Sequence, residues 1–409
     1  VAADHSDQPT IEDTMTTLHP LRTEPLTDDM LARFDERAPQ YDRENRFFSE
    51  DFEELRASGY LLLAVPEDLG GYGLTLAEVM AHQRRLAYHA PATAIAINMH
   101  LYWTGVAADL ARFGDDSLRW ILEAAAQGEV FAAGHGEVGN DAGLVGATTV
   151  AERVDGGWRF TGHKIFGSLS PVWTYFGVHG MDLSDPENPQ VVHAFLPRDA
   201  SGYRIVETWD ALGMRATASH DTVLEGAFVP DHLVASVGPA GNAGAGLFHL
   251  NVMAWALLGF GTVYAGIAQR AYDLAVASAK AKTTLALTRT QAHHPEVQRG
   301  IAEMRMALES IDGHLGTVCR EWSEGVDHGM EWPIKIVAAK HVTVTSAWAV
   351  IDRALELAGG GGLAKRNRLE QIFRDGRLGR VHPANPADSY EIVAKGSLGI
   401  DPDEQPRWG

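Results

Sequence analysis

The chain has 409 residues, enough for two or three linked cores. Its 34 Lys and Arg against 54 Asp and Glu give a formal net charge of −20, which argues against nucleic acid as a general partner, because that binding is driven by cations neutralising phosphates. Hydrophobic residues make up 45% and charged residues 22%, the mixture of a folded globule, and the one cysteine, Cys319, excludes an intramolecular disulfide and a thiolate-rich metal site.

Residues 1–26 carry early acids and no apolar run, so they read as a mobile tail and neither a signal peptide nor an anchor. Residues 27–127 read as a helical domain. In FFSEDFEELRASGY, Ser49 is expected to cap a helix whose closing left-handed position falls on Gly59. Pro66 and the cluster Gly70, Gly71, Gly73 predict a rigid loop, and Thr75 with Glu78 predicts a capping box for the next helix. Residues 128–236 change to short β-branched runs. Asp155, Gly156 and Gly157 predict a hairpin turn, and Pro197 and Pro230 each end a strand.

Residues 237–409 read as helical again. From Gly241 to Ile267 there is no Asp, Glu, Lys or Arg, and this length is sufficient for a bilayer. His249, Asn251 and several glycines within it favour a helix buried on all sides of a bundle. Ile301, Met304, Leu308, Ile311 and Leu315 lie at spacings of three and four, the stripe that bundle packing needs. Cys319 falls in this helical part and reads as packing, and the usage of cysteine fits a reducing cytoplasm.

Generic motifs are absent. Gly241, Gly244 and Gly246 follow no strand, so they do not make a dinucleotide fingerprint, and GGGGLAK lacks the glycine that a phosphate-binding loop needs before its lysine. There is no HExxH, CxxC or GxSxG, and His293 with His294 reads as solvated loop rather than metal site. No metal is expected.

Six stretches in order, between about Phe47 and Gly399, resemble the acyl-CoA dehydrogenase superfamily of flavoproteins. They are VPEDLGGYGLTLAEV, GEVGNDAGLVGATTVAERVDGGWRFTGHKIFGS, LGMRATASHDTVLEGAFVP, GIAQRAYDLA, HPEVQRGIAEM and ALELAGGGGLAKRNRLEQIFRDGR. The resemblance implies an α+β fold with a helical N-terminal domain, a middle β-barrel or sandwich domain, and a C-terminal domain like a four-helix bundle. It implies FAD, with FMN as the alternative, between the middle and C-terminal domains, and a homotetramer or dimer. The implied partners are an electron-transfer flavoprotein or a flavin reductase, and the implied substrate is an acyl-CoA or a carrier-bound acyl thioester, with no nucleic acid and no membrane.

Carried over residue by residue, the resemblance places Phe131, Ala133 and Gly134 on a strand along the isoalloxazine, with Gly139 and Asn140 in the loop after it. Phe166 and Ser168 fall in the KIFGS stretch, where the serine hydroxyl would meet the flavin N5/O4 edge. Gly359 and Gly360 would approach the ADP half from a neighbouring subunit. Arg289 and Glu356 stand where relatives carry an arginine and a glutamine.

The sequence departs from the family at the catalytic base. The glutamate position falls on Pro383 or, allowing an insertion, near Ala387, and the alternative position on the apolar helix aligns with about Ala256. Asp388 is the acid next to the expected place, and its other role would be to cap the last helix. Three functions follow from the resemblance. The first, slightly preferred, is Cα–Cβ dehydrogenation of an acyl thioester with Asp388 as base. The second is a two-component monooxygenase using reduced flavin and O2, with Ser168 and His382 at the reacting oxygen and His100 as a further pocket residue. The third is a scaffold that has lost the flavin.

Overall fold

The computed structural model describes residues 24–140, 143–242 and 245–404. Most of the tail read at residues 1–26, and Gly244, lie outside the described residues.

Five helices come first: α1 (Asp28–Glu44), α2 (Ser49–Ala57), α3 (Leu76–His89), α4 (Pro91–Arg112) and α5 (Arg119–Ala126). Helix α2 begins at Ser49 with Phe48 at the cap position, so Ser49 is the first helical residue rather than the cap. The capping box is present as expected, with the Thr75 N–H donating to Glu78 Oε2 at 2.8 Å. Helix α4 starts on Pro91, whose missing N–H costs nothing at that position, and is buried from Pro91 to Leu110. A helix without a polar face needs neighbours all round, and α3 and a long later helix supply them.

The middle part is a single nine-stranded sheet: β1 (Phe131–Gly134), β2 (Gly136–Glu137), β3 (Val150–Val154), β4 (Gly157–Gly167), β5 (Tyr175–Asp182), β6 (Gln190–Pro197), β7 (Tyr203–Val206), β8 (His220–Pro230) and β9 (Val234–Pro239). Along its main path the order is β7-β8-β4-β3-β5-β6-β9. The β3–β4 hairpin turns at Asp155–Gly156, where Gly156 has φ +76°, a value that favours glycine. β3 and β5 share one residue pair, Val150 with Met181. The segment 131–137 bridges that weak seam, because β1 pairs with β5 and β2 pairs with β4.

The chain ends in α6 (Leu247–Ala281), α7 (Pro295–Ser323), α8 (Trp332–Ala358), α9 (Arg368–Arg377) and α10 (Pro386–Leu398). Helix α6 packs against α3, α4, α7 and α8 and is the axis of the helical part. It is long and apolar enough to cross a membrane, yet 78% of its most apolar window is buried inside the fold. A second stretch, Gly329–Leu363, passes the same length test with 50% buried, which the sequence reading did not anticipate. In α7, Met304, Leu308, Ile311 and Leu315 are buried as the stripe predicts, and His294 caps the helix by accepting the Glu296 N–H.

Helix α9 locks the three parts together. Arg374 binds Asp42 of α1 through two bonds of 2.9 and 2.6 Å and donates to the Leu212 carbonyl at 3.0 Å. Asp375 accepts the Met214 N–H at 2.6 Å. Gly213 fits between them only because it lacks a side chain: a Cβ there would lie 2.5 Å from the Arg374 carbonyl carbon.

Candidate functional site

The end of β4 carries an apolar ring and a hydroxyl side by side. Phe166 has φ +61° and is 61% exposed, with Trp209 6.1 Å away edge to face. Gly136 lies beside it, where a Cβ would stand only 2.9 Å from the Ile165 carbonyl oxygen and 3.4 Å from the Phe166 ring. Two residues on, Ser168 starts a run of hydroxyls. Its Oγ is 2.7 Å from Ser219 Oγ, which is 2.6 Å from Thr217 Oγ1, and Thr217 donates to the Met214 carbonyl at 2.9 Å. The chain is anchored at its far end by a carbonyl, so its hydrogens run in one direction: Ser219 donates to Thr217, Ser168 donates to Ser219, and Ser168 keeps an acceptor lone pair for a ligand.

This arrangement fits an isoalloxazine. A large exposed phenyl ring is uncommon in a fold that buries most of its aromatics, and a flat heterocycle would cover it. Ala133, half-buried, and the short β2 offer backbone edges next to it. Other expected cofactor residues serve the protein itself. The Phe131 side chain is fully buried and stacks on Tyr175 at 5.2 Å, so only its backbone is available and its N–H already donates to His100. Gly134 faces inward, where a Cβ would strike the Phe176 ring. Gly139 has φ +79° in the loop, and Asn140 ties that loop down by donating to Glu137 and to the Gly146 carbonyl, each at 3.0 Å.

The residues assigned to the nucleotide half lie on an exposed flank. Gly359 and Gly360 are exposed with nothing within 4 Å of either Cβ position, so backbone there is open to close approach. Glu356 is paired with Arg353 at 2.8 Å, so its carboxylate is not an unpaired charge facing this flank. Arg289 is exposed on the connection between α6 and α7.

The catalytic candidates separate clearly. His100 is fully buried; its Nε2 donates to the Leu61 carbonyl at 2.9 Å and its Nδ1 accepts the Phe131 N–H at 3.1 Å. Both nitrogens are occupied, so it is a core histidine and is corrected from a pocket candidate. Burial pushes its pKa down to about 4. Asp388 is not the helix cap; Asn385 caps α10 by accepting the Ala387 and Asp388 N–H groups, and the Asn385 amide donates to Asp388 Oδ2 at 2.7 Å. Its carboxylate sits in the first helical turn, where the helix dipole favours the charge.

His382 is held on three sides. Its Nδ1 is 3.1 Å from the Tyr264 hydroxyl, and the Phe260 ring lies 5.1 Å away. Lys340, buried in α8, donates to the carbonyls of His382 at 2.7 Å and Ala384 at 2.8 Å. Burial, followed by the Lys340 charge, pushes the His382 pKa down to about 3, so the imidazole is neutral near pH 7. Burial also holds the Tyr264 phenol well above its usual value, and with that hydroxyl donating to Nδ1 the ring proton belongs on Nε2. Sequence reasoning missed both Lys340 and Tyr264, which look like ordinary helix residues until the fold brings them to the 378–384 turn.

Family models for the acyl-CoA dehydrogenase N-terminal domain and C-terminal domain match residues 28–129 and 258–386. The acyl-CoA dehydrogenase-like protein YdbM of Bacillus subtilis is 30% identical, over 88% of this chain and 91% of its own. L-evernosamine nitrososynthase of a Micromonospora species is 29% identical, over 91% of this chain and 89% of its own. The structure of KijD3 with FMN and a dTDP-linked amino-keto sugar superposes with a TM-score of 0.83 at 24% identity, covering 96% of this chain and 97% of that one.

Proposed function

We infer the reaction from one premise: the chain belongs to the acyl-CoA dehydrogenase family and is a flavin-dependent oxidoreductase using FAD or FMN. That family includes nitrososynthases and monooxygenases as well as dehydrogenases. We propose that this member is an oxygenase supplied with reduced flavin by a separate reductase. The observation that carries the reading is the 378–384 turn: Pro383 stands at the dehydrogenase base position, and a neutral histidine, His382, is fixed next to it.

Bound reduced flavin would supply the two electrons and the site of oxygen activation. The residues of this chain then divide the remaining work. Phe166 and the β2 backbone would seat the ring, and the Ser168–Ser219–Thr217 hydroxyls would hold its edge. His382, neutral, would donate a hydrogen bond from Nε2 to the reacting oxygen while Tyr264 holds Nδ1, and a fixed donor of this kind is worth roughly 10²–10³ in rate. Dehydrogenation would need Asp388 as base, and one oxygen of that carboxylate already accepts the Asn385 amide.

The substrate class proposed first is a nucleotide-linked amino sugar, the kind of ligand bound in the KijD3 structure. The test is direct. Protein, reductase-generated FADH2 or FMNH2, oxygen and a dTDP-amino sugar should give an oxygenated product by mass spectrometry. Bleaching of bound oxidised flavin by an acyl-CoA thioester without oxygen would instead establish dehydrogenation.

A further inference from the structure

Directly behind the strand that seats the cofactor, four histidines meet that lie far apart in the sequence. His135 joins β1 to β2, His179 and His193 are paired across β5 and β6, and His249 is in the first turn of α6. Ring centroids are 5.2 Å apart for His135 and His179, 6.0 Å for His135 and His193, 5.4 Å for His179 and His193, and 5.1 Å for His193 and His249. Trp103 lies 5.6 Å from His135 and stacks on Phe248 at 6.3 Å, closing the other sides. His193 and Trp103 are enclosed at 2% and 1% exposure, whereas His135 and Phe248 are half-buried and form the accessible end.

The protons of His179 and His193 can be placed. Lys164 donates to His179 Nδ1 at 3.2 Å, so His179 Nε2 carries the hydrogen and donates to the Gly143 and Gly146 carbonyls, each at 3.1 Å. His193 Nε2 donates to the Leu144 carbonyl at 3.0 Å, which leaves its Nδ1 as a bare acceptor. That nitrogen and His135 Nε2 are buried and have no partner among the described residues. A buried lone pair without a donor is costly enough that folded proteins supply one.

A metal does not account for the cluster, since no group of ligating side chains among the described residues has the geometry to hold one. The partner is not a cation, because the Lys164 ammonium lies against His179 and has its own counter-ion in Glu137 at 2.6 Å. An anion would face the bare lone pair of His193 Nδ1. What remains is an uncharged O–H or N–H. We propose that His135 and His193 form a polar subsite that receives an uncharged hydroxyl or N–H group of the substrate. The subsite deepens the oxygenase reading, on which its position beside the reacting centre rests. It selects a hydroxylated or neutral-amine compound over a hydrocarbon chain.

The test uses binding without turnover: calorimetric titration of the flavin-loaded protein, with no reductant, by cyclohexanol, cyclohexanone and methylcyclohexane. The alcohol should bind about fivefold more tightly than the ketone and the hydrocarbon, the worth of one neutral hydrogen bond. His135→Leu, which removes a ring nitrogen that holds nothing in the fold, should abolish that preference, and His193→Phe should do the same. Equal binding of the three probes by the native protein, no binding of the alcohol, or a preference that survives both substitutions would overturn the proposal. Failure of the oxygenation assay alone would leave this result standing, because no step of it requires oxygen.

Discussion

Ser168 and His382 do different things, and single substitutions separate them. Ser168→Ala removes one link of a three-hydroxyl run while leaving Ser219 and Thr217 bonded to each other. Turnover should fall roughly fivefold with an unchanged melting temperature; unchanged kinetics would remove Ser168 from the site. His382→Phe keeps a ring of similar shape but removes the Nε2–H hydrogen-bond donor. Oxygenation should fall by roughly 10²–10³ while flavin binding, read from the visible spectrum, is retained. Ser168 was legible in the sequence because its KIFGS context fixed its place on a strand end. The histidine cluster was not, because its members stand at 135, 179, 193 and 249 and meet only through the pairing of β1, β5 and β6.

Between elements, the structure relies on a few buried polar contacts that no local pattern announces. Lys340 reaches from α8 to three carbonyls of the turn carrying His382, those of Gly379, His382 and Ala384. Burial pushes its pKa down to about 7, with Asp388 opposing. The unfolded lysine titrates near 10.4, so between these values the unfolded state binds more protons and stability rises with pH. Lys340→Met should flatten that rise and speed hydrogen exchange in residues 378–384, measured by mass spectrometry. An exchange pattern identical to the native one would show that the turn stands without it. The α9 latch gives a second expectation. Gly213→Ala forces a methyl group against the backbone at Arg374 and Asp375, which cannot move aside as a side chain would. It should cost about 1–3 kcal/mol in urea unfolding. Helix boundaries and the capping box at Thr75 were readable from local sequence; the cap at Asn385 was hidden because Asp388 and Asn385 suit that role equally by composition.

For the whole molecule, the buried histidines decide the response to acid. Burial lowers the pKa of His82 and His100 to about 4 and of His179 and His193 well below the usual value. In the unfolded chain they titrate near 6.5. Their contribution is complete above that pH and is lost as pH falls toward 4, at up to about 1.4 kcal/mol per pH unit for each. Buried Asp51 and Asp375 act in the opposite sense, since burial raises them to about 7 and about 6 and the folded state holds their protons. His135 and His382, lowered by burial to about 3, add to these four, so the histidines outnumber the two carboxylates and the melting temperature should drop steeply between pH 6.5 and 4.5. A flat profile would show that the histidines are hydrated in solution. The α–β–α layout was legible because hydrophobic periodicity changes twice along the chain. Which surfaces meet was not, since the partners of α4 lie on both sides of the inserted sheet.

That arrangement has a consequence for biosynthesis. Helix α4 is enclosed along nearly all its length, and Trp255 of α6 forms part of the enclosure by donating to Asp109 at 2.7 Å. A ribosome releases α4 first and must then translate the entire sheet before α6 emerges, a delay on the order of ten seconds. Throughout that interval the nascent N-terminal helices expose a greasy groove with no mate. The growing chain is therefore a natural chaperone client, and slowing translation across the sheet would lower the yield of soluble enzyme without altering one residue of it.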